Sequence, residues 1–203
     1  MEIRRAAGGL LQTNTYVLIS GDDTVLIDPG CEISKIRKRL DGRRVNRIFL
    51  THGHLDHTYF MDDFKREDGS EIYMHRADEP FLTDFDLSSP GGVPDVLERR
   101  EYIVDRWIND GDVFSVGDSK FEVIHTPGHT PGGCMFYFEK EKVLFSGDTI
   151  FRGTRGRTDF PLSSAEDIEN SIRKVLSMLP DDVIIYPGHA FPTTVGNEKK
   201  LWF

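Results

Sequence analysis

Four times along this chain an apolar run stops at a turn and is followed at once by histidine or aspartate. Arg47-Ile48-Phe49-Leu50 leads into Thr51-His52-Gly53-His54, and Phe121-Glu122-Val123-Ile124 leads towards Thr126-Pro127-Gly128-His129. Val143-Leu144-Phe145 leads into Ser146-Gly147-Asp148, and Val183-Ile184-Ile185-Tyr186 into Pro187-Gly188-His189. Each run reads as a buried strand. Side chains just past neighbouring strand ends can converge on one point, held by a rigid scaffold and still open to solvent. The fold must therefore bring four strand ends together.

The rest of the chain supplies partners for those strands. Residues 15–20 and 24–28 flank Gly21-Asp22-Asp23 as a β-hairpin. Ile33, Ile36 and Leu40 are spaced for a short amphipathic helix. Further strands are expected at 71–74, 113–116, 120–125 and 134–138, a helix at 59–65, and the last strand at 183–186. Ser163 with Glu166 makes a capping box. Behind it Ile168, Ile172, Val175, Leu176 and Leu179 form a helical stripe that Pro180 ends. Residues 76–109, with Ser88-Ser89-Pro90-Gly91-Gly92, read as a long loop of the kind that often serves as a lid or binding loop. Strands predominate with helices between them, which predicts two sheets covered by helices. A chain of 203 residues suits one such domain, spanning 1–203.

A net charge of -9 disfavours general binding to nucleic acid, although Arg152, Arg155 and Arg157 lie close together. No apolar stretch is long enough to span a bilayer, and none of signal-peptide length follows Arg4 and Arg5. A cytoplasmic location is the expectation. Cys31 and Cys134 lack metal-binding spacing and read as buried thiols.

Five of the seven histidines belong to the strand-end set. Imidazole and carboxylate together suit zinc first, with iron or manganese as further candidates. A lone His-x-His is frequently a surface coincidence, but His52, His54, Asp56 and His57 fall within six residues. Alternation along an extended segment puts His52 and His54 on one side, and Asp56 and His57, past a bend, face a second position. His75 reads as a strand-end residue and His125 as a core residue or a support for a ligand. Asp28, in Ile27-Asp28-Pro29-Gly30, is either a turn former or a carboxylate that orients a ligand histidine.

At these residues the sequence resembles the metallo-β-lactamase superfamily, and within it the small glyoxalase II-like (hydroxyacylglutathione hydrolase-like) enzymes. The matching pieces are Thr51-His52-Gly53-His54-Leu55-Asp56-His57, Thr126-Pro127-Gly128-His129-Thr130-Pro131-Gly132, Ser146-Gly147-Asp148-Thr149-Ile150-Phe151, Gly156-Arg157-Thr158-Asp159-Phe160-Pro161 and Tyr186-Pro187-Gly188-His189. The resemblance starts at Asn14-Thr15-Tyr16 and covers nearly the whole chain. It implies an α/β (α+β) fold, a four-layer αββα sandwich. It implies one or two divalent metals: His52, His54 and His129 at the first, Asp56, His57 and His189 at the second, and Asp148 bridging.

The chemistry so implied is hydrolysis of a small-molecule thioester or ester. A metal-bound water loses a proton near neutral pH, attacks the carbonyl, and the metals stabilise the oxyanion. Asp148 and Asp56 are the catalytic candidates, with Asp56 a ligand if the second position is filled and a proton acceptor if it is empty. Arg157 is placed either to bind a substrate carboxylate or to pair with Asp159. Tyr59 and Phe60 are either helix core or pocket wall, and where relatives carry small residues these rings would narrow the pocket. Glyoxalase II itself has a C-terminal helical domain that grips glutathione, whereas this sequence ends at Phe203. A carboxylate at Asp148, where antibiotic-cleaving members often have cysteine, disfavours β-lactam hydrolysis. The alternatives are a mononuclear iron persulfide dioxygenase, a lactone hydrolase and a non-catalytic metal-binding module. Gly188 before His189 favours the hydrolase.

Overall fold

Alternation along the strands sorts the side chains into three separate cores, and three cores between packed layers make a sandwich of four. The structure, a computed structural model, describes residues 1–89 and 102–203. The first sheet has six strands in sequential order: β1 (Glu2–Gly8), β2 (Thr13–Ser20), β3 (Asp23–Ile27), β4 (Arg47–Phe49), β5 (Glu71–His75) and β6 (Arg106–Ile108). β1, β2 and β3 pair antiparallel, and β3 through β6 run parallel. The second sheet is built from β7 (Val113–Val116), β8 (Ser119–His125), β9 (Cys134–Phe138) and β10 (Val143–Gly147). The ribbon β11 (Ile150–Phe151) and β12 (Thr154–Arg155) follows, and then β13 (Ile184–Pro187) and β14 (Thr193–Thr194) complete that sheet in the order β14-β13-β10-β9-β8-β7.

One face of β2 and β3, with Val17, Ile19 and Leu26, joins Ile48 and Ile72 against the helices α1 (Ile33–Leu40) and, past the short α2 (Leu55–Thr58), α3 (Met61–Asp68). The opposite face, with Tyr16, Leu18, Val25 and Ile27, meets Phe121, Phe136, Phe138 and Phe145 of the second sheet. The outer face of that sheet, with Ile124, Met135, Leu144 and Ile185, takes Ile168, Ile172, Val175 and Leu176 of a long helix. This helix is Ala165–Met178; a one-turn helix, α4 (Phe85–Ser88), precedes it, so it is α5, and α6 (Val195–Trp202) ends the chain. The αββα architecture expected from the sequence is the one observed.

The hairpin is present with Ser20 opposite Asp23, and α1 and the stripe on α5 lie where the periodicity puts them. Four expectations need correction. The helix expected at 59–65 is α3, which starts at Met61 and runs to Asp68; a separate helix, α2, precedes it, so Asp56 and His57 are helical. The capping box slips by one: Ser164, not Ser163, caps α5 by accepting from Asp167 N–H at 3.1 Å. The strand over 183–186 is not the last, because β14 and α6 follow; β14 is two residues long and too short to show a period. Residues 76–109 are not all loop. They hold a 3-10 helix (Arg76–Leu82) with Pro80 inside it, α4 capped by Asp84, and the three-residue β6, each too brief for a periodic signal. The lid expectation falls partly on residues 90–101, which lie outside the described residues. Cys31 and Cys134 are buried free thiols, as expected. No helix among the described residues is long and apolar enough to cross a membrane.

Phe136 is fully buried between the sheets, with its ring 5.7 Å from both Phe49 and Phe121. Truncating it leaves a cavity that neither sheet can close. Phe136→Ala is expected to cost about 3–5 kcal/mol in urea unfolding, and a loss under about 1 kcal/mol would contradict a rigid inter-sheet core.

Candidate metal centre

β8, β10 and β13 all run the same way, because β9 pairs antiparallel with both β8 and β10 while β13 is parallel to β10. Their C-terminal ends therefore open at one edge. Cys134 N–H donates to Thr51 O at 2.8 Å, which ties the end of β4 in the other sheet to the same edge. His52, His54, Asp56, His57, His129, Asp148 and His189 meet there. Three overlapping groups have their ligand atoms within 4.8 Å of one another: His52, His54 and His129; His52, His57 and Asp148; and Asp56, His57 and His189. The first and third are the two sets implied by the resemblance, and Asp148 lies between them. Its carboxylate is 3.7 Å from His129 Nε2 and 3.3 Å from both His57 Nε2 and His189 Nε2.

Four of the five imidazoles are oriented from behind. His57 Nδ1 faces Asp28 Oδ2 at 2.9 Å, His129 Nδ1 faces Arg157 O at 2.8 Å, and His189 Nδ1 faces Leu11 O at 3.1 Å. An oxygen acceptor at Nδ1 selects the tautomer whose Nε2 lone pair points inward. His52 Nδ1 lies 3.0 Å from Thr51 Oγ1, whose own proton goes to Asp28 Oδ2 at 2.6 Å. Asp28 thus supports two histidines of the cluster and is not merely a turn former. It also accepts Thr51 N–H at 2.8 Å, and its φ of 52° aims the carboxylate inward.

The residues fit divalent cations by three observations. His52 Nε2 and Asp148 Oδ1 are buried with no hydrogen-bond partner among the described residues. His54 Nδ1 and His129 Nε2 point at each other across 2.9 Å, a pairing that a shared cation explains. The electrostatics also ask for positive charge. Burial works against a charged His189, yet the Asp148 and Asp56 carboxylates outweigh it and raise its pKa to about 9. Burial opposes His57 likewise, and Asp56, Asp148 and Asp28 push it well up. Burial would raise Asp56, but His57 and His189 hold it down at about 2. In the other half burial dominates: it drives His54 to about 3 with help from His129, and His52 well below its ordinary value.

Close approach explains one glycine. A Cβ on Gly188 would lie 2.2 Å from Asp148 Oδ1 and 2.6 Å from His57 Cε1. Two residues that the sequence reading missed support the same side. Thr13 Oγ1 donates to Asp56 Oδ2 at 2.8 Å, and Asn14 Nδ2 donates to Pro187 O at 2.9 Å. Their signal was burial of polar side chains in a strand, which a single sequence does not display. The side chain of Arg157 pairs with Asp159 at 2.9 and 2.6 Å and lies over the Phe160 ring, so of the two roles weighed for it the pairing is the observed one. Tyr59 is nearly buried and packs edge-on against Phe60 at 4.9 Å. His75 and His125 stack on each other at 4.1 Å and belong to none of the three ligand groups.

A four-layer sandwich with a histidine–aspartate cluster at its strand ends defines a metal-binding class of protein. The chain belongs to the metallo-beta-lactamase superfamily, whose profile matches residues 8–189. Members of this superfamily bind one or two divalent metals, metal-dependent hydrolases among them. The chain is 37% identical over 183 residues to hydroxyacylglutathione hydrolase GloC of Haemophilus influenzae, covering 88% of this chain and 85% of that protein. It is similar to a crystal structure described as BLEG-1 B3 metallo-beta-lactamase, with TM-score 0.86, 32% identity and coverage of 98% and 97%. It is equally similar to TTHA1623 in a di-iron-bound form, with TM-score 0.85, 32% identity and 98% of each chain covered.

Gly188→Ala is expected to leave the circular dichroism spectrum unchanged and to lower the affinity for divalent metal about 10- to 100-fold, the range for a disturbed ligand support. Wild-type affinity in a metal titration of this variant would show that the close approach at Gly188 does not matter to the cluster.

Proposed function

We propose that the chain is a metal-dependent hydrolase that cleaves a small thioester of the S-hydroxyacylglutathione type. The observation that carries the reading is the cluster itself: three overlapping ligand groups with an orphaned imidazole nitrogen and an orphaned carboxylate oxygen. His52, His54 and His129 would hold one cation, Asp56, His57 and His189 a second, with Asp148 shared. Divalent cations there supply Lewis acidity, acidifying water and polarising a carbonyl. The mixed imidazole and carboxylate set suits zinc, iron or manganese.

The protein's own contribution is to hold the ligands rigid and aimed before substrate arrives, which removes reorganisation from the reaction. The His52 to His129 group sits beside Phe160, whose ring lies 5.7 Å from His54 and 6.1 Å from His129. Phe160 offers an apolar wall to a bound acyl group. The similarity to GloC supports a hydroxyacyl thioester as the substrate class. A thiolate leaves without prior protonation, and the ring nitrogens of His57, His129 and His189 are engaged on both sides.

The test is metal analysis of the purified protein together with S-lactoylglutathione hydrolysis on the same sample. Two metals per chain with turnover, abolished in Asp148→Ala while the fold is retained, are the expected results. Wild-type turnover in Asp148→Ala would sink the scheme. One iron per chain, no hydrolysis, and oxygen uptake with glutathione persulfide would replace it with a dioxygenase. Cleavage of a chromogenic cephalosporin without thioester turnover would move the assignment to β-lactams.

A further inference from the structure

Asp78 lies in the 3-10 helix Arg76–Leu82, within the stretch whose sequence reads as loop, and its side chain is fully buried. Its oxygens accept from the two loops that carry His52, His54 and His129. Oδ2 accepts Gly53 N–H at 2.8 Å and Thr130 Oγ1–H at 2.8 Å, and Oδ1 accepts Gly132 N–H at 2.6 Å. Gly53 separates His52 from His54, and Thr130 follows His129 directly. Three residues beyond Asp78, Phe81 sets its ring edge-on against His54 at 5.4 Å. Both loops are glycine at the contact: a Cβ on Gly132 would stand 2.7 Å from Asp78 Cγ, and one on Gly53 2.6 Å from Phe81 Cβ.

We propose that Asp78 is a positioning residue for the His52–His54–His129 group and for that group alone. One carboxylate spans both loops, so it sets the distance between the His52–His54 pair and His129. The other group has different supports: Asp28 behind His57, Thr13 on Asp56, and Asn14 on the Pro187 carbonyl. Asp28 reaches the first group only through Thr51. Separate supports make damage at Asp78 selective. An amide at this position keeps the shape but turns an N–H2 towards backbone N–H groups, which cannot accept it. This inference rests on the metal-site reading above.

The experiment titrates wild type, Asp78→Asn, Thr130→Val and Asp28→Asn with cobalt(II) alone. Visible absorption reports coordination, and the hyperfine-shifted imidazole N–H resonances report which histidines are bound. Circular dichroism and thermal melting report the fold. Asp78→Asn is expected to weaken binding at His52, His54 and His129 about 10- to 100-fold and to leave the His57 and His189 resonances as in wild type. Thr130→Val removes one of the three donors and should act in the same direction with a smaller effect. Asp28→Asn should weaken the His57 side more than the His54 side. Equal weakening of both groups in Asp78→Asn, or wild-type binding at both, overturns the proposal. If Asp78→Asn does not fold, Thr130→Val decides on the same criterion. A wild-type protein that binds no cobalt overturns the metal-site reading and this assignment with it. Two bound cobalt ions with no selectivity in the variants overturn only the assignment.

Discussion

Three carboxylates, those of Asp28, Asp56 and Asp148, are gathered among buried imidazoles at one edge of the sandwich. An unpaired carboxylate taken out of water costs several kcal/mol even after relaxation, so the cluster must contain positive charge. In the polypeptide alone the carboxylates of Asp56 and Asp148 outweigh burial at His57 and His189 and push both pKa values up. His52 and His54, where burial outweighs carboxylate attraction, are held neutral. The two halves of the cluster therefore differ: carboxylates dominate the electrostatics at His57 and His189, and burial dominates at His52 and His54.

Such a cluster cannot be assembled from one segment. It needs the ends of β4, β8, β10 and β13 in one place, and the pairing of the second sheet delivers three of them in the same direction. The packing between sheets delivers the fourth. The loops between the strands contribute more than side chains. Carbonyls of Leu11 and Arg157 fix the tautomers of His189 and His129, so segments whose side chains point elsewhere still govern the metal-facing nitrogens. Ser163, displaced from its expected capping role by one residue, donates instead to His129 O at 2.8 Å and anchors the same loop.

What was legible in the sequence follows from this division. Histidine and aspartate are chemically distinctive and fall after apolar runs, so the seven residues that converge here, His52, His54, Asp56, His57, His129, Asp148 and His189, could all be picked out, and the two-sheet architecture follows from the same runs. The supports are ordinary residues acting through backbone atoms or single hydrogen bonds over long sequence separations. Thr13 reaches Asp56, and Asp78 reaches Gly132, with nothing in their neighbourhoods to mark the contact. Asp28 was half visible, because its place between a strand and Pro29-Gly30 suits a turn as well as a ligand support. Of the elements that escaped, β6, β11, β12, β14, α2, α4 and the 3-10 helix are too short to display a period, whereas β1 and α6 are longer and carry few apolar residues to mark one.

The supports also bear on which bond such a site is suited to break. Hydrolysis of any acyl compound needs a nucleophile, a stabilised oxyanion and a departing group. The first two depend on the cluster, and the third differs between acyl compounds. An amine must be protonated as it leaves, whereas a thiolate need not be. His57, His129 and His189 each have one ring nitrogen committed inward and the other committed to a carboxylate or carbonyl. Arg157, the basic side chain next to the His129 support, is held by Asp159. Under the thioester reading proposed above the leaving group departs as an anion, so the hydrogen bonds that aim the imidazoles stay committed to that task throughout the reaction.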